Sequence, residues 1–161
     1  MTAQIKEILC IDNVKYAIAT EPLKPYLSSL NNKPKFFMDN TACWRGYTGE
    51  WQLTQDKLYL NSINGNIYNG KDNIEVVDIN YLFPNQDRVF ASWYTGTIRV
   101  PDGKMIKYVH MGYESKYERD LLFNFKKGIL IDYEYIDNSM EETQRPTVLK
   151  RLLLRIQSIF K

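Results

Sequence analysis

Apolar and polar residues alternate along much of the chain, and the clearest stretch is Tyr47-Thr48-Gly49-Glu50-Trp51-Gln52-Leu53-Thr54. Tyr47, Gly49, Trp51 and Leu53 share one face, and Thr48, Glu50, Gln52 and Thr54 take the other. Period two is the signature of a strand buried on one side. Gln55-Asp56 then turns the chain into a second strand, Lys57-Leu58-Tyr59-Leu60. Tyr94-Thr95-Gly96-Thr97-Ile98-Arg99-Val100 repeats the pattern, with Tyr94, Gly96, Ile98 and Val100 together. Pro101-Asp102-Gly103 reads as a tight turn, after which residues 104–111 pair back. Residues 4–20 read as a hairpin about Asp12-Asn13. Residues 118–136 read as another about Lys126-Lys127-Gly128, with Leu121, Phe123 and Phe125 on one face.

The match of Tyr47-Thr48-Gly49-x-Trp51-x-Leu53 to Tyr94-Thr95-Gly96-x-Ile98-x-Val100 covers a few positions only. A glycine inside a strand marks a bulge or a close backbone approach. Two bent strands packing together is one reading of the match, and a duplication is the other.

Between the strands the pattern breaks. Pro22, Pro25 and Pro34 make an irregular connection, with a short helical turn over 26–30. Residues 61–73 are rich in Asn, contain Gly65 and Gly70, and read as a loop or a loose hairpin tip. A strand over 74–78 leads to an apolar segment ending at Pro84, expected to plug the core. The last segment changes period. Val148, Leu149, Leu152, Leu153, Ile156, Ile159 and Phe160 fall within an arc of about 140° on a helical wheel. Lys150, Arg151, Arg155 and Lys161 lie outside that arc, and Pro146 stands near the start. This predicts an amphipathic C-terminal helix over 146–160, which could serve as a lid on the core, a protein-docking element or a membrane-surface anchor.

These elements predict an α+β domain over 1–161. Its body is a predominantly antiparallel, curved sheet or partly open barrel built from hairpins, with about seven to nine strands. Composition agrees. The chain of 161 residues has the length of one domain, and 44% hydrophobic with 25% charged residues excludes a disordered chain. No apolar run reaches the roughly 18 residues of a membrane span. Lys6 and Glu7 interrupt the N-terminal apolar stretch, so no secretory signal is read and a cytoplasmic location is expected. Cys10 and Cys43 are too few for a disulfide scaffold or a four-cysteine zinc site. The net charge of +2 argues against a dedicated nucleic-acid binder. The basic surplus lies in the final segment.

Candidate chemistry is sparse. His110 is the only histidine, which excludes a two-histidine metal site. It is readable as a general base or as a hydrogen-bonded side chain at a sheet rim. Cys43 is readable as a thiol nucleophile or as a small buried hydrophobe. Neither a phosphate loop, nor GxGxxG, GxSxG or HExxH, occurs. Glu114, Glu118 and Asp120 are interleaved with Lys116 and Arg119 and read as a solvated hairpin face. No catalytic residue, metal or cofactor is therefore assigned, and a non-enzyme is favoured. The candidate binding residues are Trp44, Arg45, Tyr47, Trp93, Tyr94, Arg99, His110, Tyr113 and Tyr117. Trp, Tyr and Arg are the types enriched at interface hot spots and also at base-stacking sites. The competing reading places them in the core and in cross-strand pairs.

Through Cys43-Trp44-Arg45-Gly46-Tyr47, Trp51, Leu58-Tyr59-Leu60, Trp93-Tyr94-Thr95-Gly96 and Tyr108-Val109-His110-Met111-Gly112-Tyr113, the chain resembles a group of small uncharacterised bacterial proteins, over roughly residues 14–136. That resemblance implies no activity. In size and cytoplasmic character the chain is also similar to immunity proteins that neutralise bacterial toxins, many of which are more acidic. The expected function is a non-catalytic intracellular binding protein, an immunity-type inhibitor of a partner protein. The alternative is a small-ligand-binding protein or enzyme with a pocket near His110. Nucleic-acid or membrane attachment through the terminal helix is a third reading.

Overall fold

The computed structural model describes residues 2–70 and 73–139. In chain order the elements are β1 (Glu7–Ile11), β2 (Val14–Ile18), α1 (Lys24–Ser29), β3 (Tyr47–Thr54), β4 (Lys57–Tyr68) and β5 (Ile74–Val77). They continue with α2 (Ile79–Leu82), β6 (Val89–Phe90), β7 (Gly96–Lys107), β8 (Lys116–Lys126) and β9 (Ile129–Asp137).

Three of the expected hairpins form at two-residue turns with left-handed backbone. Asp12 and Asn13 have φ of 48° and 65°, Gln55 and Asp56 50° and 59°, Lys127 and Gly128 50° and 76°. Such turns carry the twist that antiparallel neighbours need. The strands make one nine-stranded sheet in the order β2-β1-β3-β4-β9-β8-β7, with β5 and β6 also pairing with β4.

The sheet is mixed rather than a run of consecutive hairpins. β1 and β3 are parallel, with Ile8 opposite Glu50 and Ile11 opposite Leu53. Parallel neighbours need a crossover, and residues 19–46, which include α1, supply it. That crossover places the site described below.

Three local expectations are corrected. Pro101-Asp102-Gly103 is not a turn, because β7 runs through it and pairs with β8 on both sides. The ladder shifts register there, and side chains of β8 bridge the irregular stretch. Asp102 accepts from Arg119 Nε at 2.8 Å, and Glu118 accepts from the Lys104 N–H at 3.0 Å. Residues 61–68 are not a loop either, because β4 continues to Tyr68 with Ile63 and Ile67 buried. The asparagine-rich composition masks a period-two run. Finally, the two glycine-bearing strands do not pack together as a pair. β3 lies between β1 and β4, whereas β7 ends the sheet beside β8.

The sheet is not closed into a barrel. Its end strands come near each other, and just past β2 the Ala19 N–H donates to the Arg99 carbonyl at 2.8 Å and the Arg99 N–H donates to Thr20 Oγ1 at 3.0 Å. The core forms on the alternating faces read from the sequence, with Trp51, Leu53, Ile98, Leu121 and Phe123 buried, and Leu9, Ile11, Leu58 and Leu60 are buried with them. Ile79 and Phe83 plug it, as the apolar segment before Pro84 predicts. The helix expected over 146–160 lies outside the described residues. Among the described residues no helix is long and apolar enough to cross a membrane.

Candidate functional site

The crossover from β2 to β3 lies over the sheet and is held there by rings. Tyr26 of α1 packs at 4.8 Å on Phe83 and 4.9 Å on Trp93. Phe83 and Trp93 stack at 5.6 Å and 11°. Trp93 Nε1–H donates to the Pro22 carbonyl at 3.0 Å, and Leu23 is fully buried. Trp93 is therefore an anchor for α1.

Two adjoining clefts share Glu21, Lys24 and Ser28. The first, of about 620 Å³, is walled by Leu27, Phe36, Trp44, Arg45 and Tyr47, with Lys33 and Lys35 also lining it. The second, of about 580 Å³, adds Thr20, Pro25, Tyr94 and Tyr113.

Arg45 joins the two. Its Nη1 donates to the Tyr113 hydroxyl at 2.8 Å, and its Nη2 to the Ile5 carbonyl at 3.0 Å. Its Nε lies 3.1 Å from Glu7 Oε1, and its Nη1 lies 3.9 Å from Glu21 Oε1. The Arg45 and Glu7 side chains are only 6% and 0% exposed. Their closest contact is a contact of charges rather than an aligned hydrogen bond, since neither Glu7 Oε1 nor Arg45 Nε has a hydrogen-bond partner. The other Glu7 oxygen is better held, because Trp51 Nε1–H donates to Oε2 at 2.6 Å. Gly49 makes room for this arrangement. A Cβ there would lie 2.8 Å from Glu7 Oε2 and 2.9 Å from Trp51 Nε1.

Burial pushes the Glu7 carboxyl up to about 7, against the pull of Arg45 and of the Trp51 hydrogen bond. Burial pulls Arg45 down, but the charge of Glu7 and its neighbours holds it above the usual guanidinium range. Burial raises Tyr94 to about 12 and Tyr47 and Tyr113 further. These tyrosines stay neutral at physiological pH and offer hydroxyls, not phenolates.

Of the nine candidate binding residues, the structure brings Trp44, Arg45, Tyr47, Tyr94 and Tyr113 to the clefts. Trp44 is 40% exposed, and its backbone N–H is held by Gln4 Oε1 at 2.8 Å. Tyr47 and Tyr94 are mostly buried, so they contribute walls rather than rim. The other four go elsewhere. Trp93 anchors α1. Arg99 binds Asp120 at 2.8 Å and the Tyr113 and Ser115 carbonyls at 2.9 and 3.2 Å, which fixes the loop that carries Tyr113. Tyr117 accepts from Lys6 Nζ at 2.7 Å. His110 is exposed, with Nδ1 2.8 Å from the Tyr108 hydroxyl, and lines neither cleft.

Cys43 is a small buried group, 6% exposed. Asp120 corrects the solvated-face reading of its hairpin: it is buried and bonded to Arg99 and Asn138. Sequence reasoning missed Glu7, Glu21, Lys33 and Lys35. For Glu7 a signal was present, since it is in phase with the buried Leu9 and Ile11.

No group of three His, Cys, Asp or Glu among the described residues could hold a metal ion. Comparison with protein-family models, with curated proteins and with solved structures yields no match. The geometry provides apolar walls, an immobilised guanidinium and lysines at an open mouth.

Proposed function

We propose that the protein is a non-catalytic binding protein acting in the cytoplasm, an immunity-type inhibitor that caps a partner protein through the face centred on the two clefts. The observation that carries this reading is the convergence of Trp44, Arg45, Tyr47, Tyr94 and Tyr113 on adjoining clefts from three separate stretches of chain. Trp, Tyr and Arg dominate binding energy where a partner's side chain fills a pocket. Arg45 is held by four groups, so the cleft wall it supports is ordered before a partner binds.

The test is native mass spectrometry of the tagged chain purified gently from its host. A stoichiometric second chain supports the proposal, and Trp44→Ala should weaken its capture. A lone chain that turns over a small substrate, and loses that activity on His110→Ala, would overturn it.

The first cleft also favours a second reading. A volume of about 620 Å³ is ordinary for a small-molecule site. A small ligand would then sit against Arg45 and Trp44 rather than near His110.

A further inference from the structure

The charges lining the first cleft do not balance. Arg45 faces Glu7 beneath it at 3.1 Å. Lys24 reaches Glu21 at 3.9 Å. Lys33 and Lys35 line the same cleft and make no ion pair among the described residues. Their segment is tied to the sheet: Phe36 bridges to Ile67, and the Phe37 N–H donates to the Asn66 carbonyl at 2.6 Å. The backbone therefore fixes where these two lysines emerge. Facing them are apolar walls from Leu27, Phe36, Trp44 and Tyr47, of which Phe36 and Tyr47 pack ring to ring at 4.8 Å.

We infer that the first cleft recognises an acid group carried on a flat apolar body, with the flat part against the Phe36, Trp44 and Tyr47 walls and the acid group at Lys33 and Lys35. This deepens the reading of the cleft as the binding site and rests on it. The occupant is an Asp or Glu beside an aromatic side chain on the partner protein, whose charge complements Lys33 and Lys35. A cation is disfavoured at this mouth, because both unpaired groups are positive.

The experiment titrates the full chain with naphthalene-2-sulfonate, with naphthalene-2-methanol as the ring without the charge, and with sulfate as the charge without the ring. Calorimetry and the fluorescence of Trp44 report binding. The sulfonate should bind, and the alcohol and sulfate should each bind at least about tenfold more weakly. Lys33→Gln with Lys35→Gln should weaken the sulfonate about tenfold, the size that two solvent-exposed ion pairs supply. Both side chains are exposed, so that double variant should keep its fold. Equal binding of the alcohol, absence of sulfonate binding, or an unchanged double variant would overturn the inference.

The host-purified chain tests the occupant. A bound chain released by the double variant supports a partner's acidic side chain as the occupant, and a bound small aromatic acid in place of a chain would overturn it. Loss of partner capture on Trp44→Ala but not on the double lysine variant would overturn the acid-group inference and leave the binding reading standing. Loss on neither would remove the cleft itself as the site.

Discussion

Glu7 and Arg45 face each other at 3.1 Å with both side chains withdrawn from solvent, one on β1 and the other in the connection leading into β3. Taking two charges out of water is expensive, and their attraction often fails to offset the loss of hydration. The direction of the Glu7 shift fits that balance, since burial outweighs both Arg45 and Trp51. The pair sits beneath the clefts and ties the N-terminal segment, β3 and the Tyr113 loop together through one guanidinium.

Stability should therefore fall as pH rises through the Glu7 window. In the folded chain Glu7 titrates near 7, and its ordinary value is 4.5. Between these values the folded state binds more protons than the unfolded state, so unfolding becomes easier with rising pH. The contribution is fully present below about 4.5, is lost on the way to about 7, and is flat above. Urea unfolding across pH 4–8, compared with Glu7→Gln, checks this. The variant should lack this slope, and an identical slope in both chains would contradict it.

Trp51→Phe should destabilise the fold by about 1.5–3 kcal/mol, because a buried carboxylate loses its 2.6 Å donor. The Glu7 carboxyl should also move further up, since that bond favours the charged form. Gly49→Ala should cost about 1–3 kcal/mol by crowding the same two groups. Chemical denaturation reads the stabilities, and carbon-13 shifts of the Glu7 carboxyl read the titration.

Trp93→Ala should destabilise by about 3–5 kcal/mol, the usual range for removing a large packed aromatic. It deletes two ring contacts and the bond to Pro22 that hold α1. Because α1 walls both clefts, the folded fraction of Trp93→Ala should also bind naphthalene-2-sulfonate more weakly. Denaturation and calorimetry on the same sample separate the two effects.

Gly128 closes the seam where β9 meets β4. Its N–H donates to the Tyr94 carbonyl at 2.7 Å, and its carbonyl accepts from Leu58 at 2.9 Å. Its φ is +76°, and a Cβ would lie 2.6 Å from the Ala91 carbonyl oxygen. Gly128→Ala should cost about 3 kcal/mol. Gly70→Ala, with a similar φ of +79° but open space around it, should cost about 1 kcal/mol. Thermal unfolding of the two variants should rank them in that order.

The strands and their buried faces were readable because period-two alternation is local: Tyr47 to Leu53 and Leu121 to Phe125 place their apolar residues as the pattern requires. The turns at Asp12-Asn13 and Gln55-Asp56 were readable for the same reason. Pro101-Asp102-Gly103 misled because the segment stays paired to β8 across a register shift and is bridged by Arg119 and Glu118, contacts that a local reading does not weigh. The parallel β1–β3 pair depends on where a long crossover returns, and no local signal fixes that. Five of the nine candidate residues reached the clefts, since aromatic and Arg content marks a surface coarsely. Glu7 and Glu21 enter only through tertiary contact with Arg45.

Native mass spectrometry of the tagged wild-type chain and of Trp44→Ala, both purified gently from the host, tests the binding function most directly. The wild type should carry a stoichiometric protein partner, and the variant should carry less of it. A wild-type chain that is alone, or a partner held equally by both chains, would contradict binding through this face.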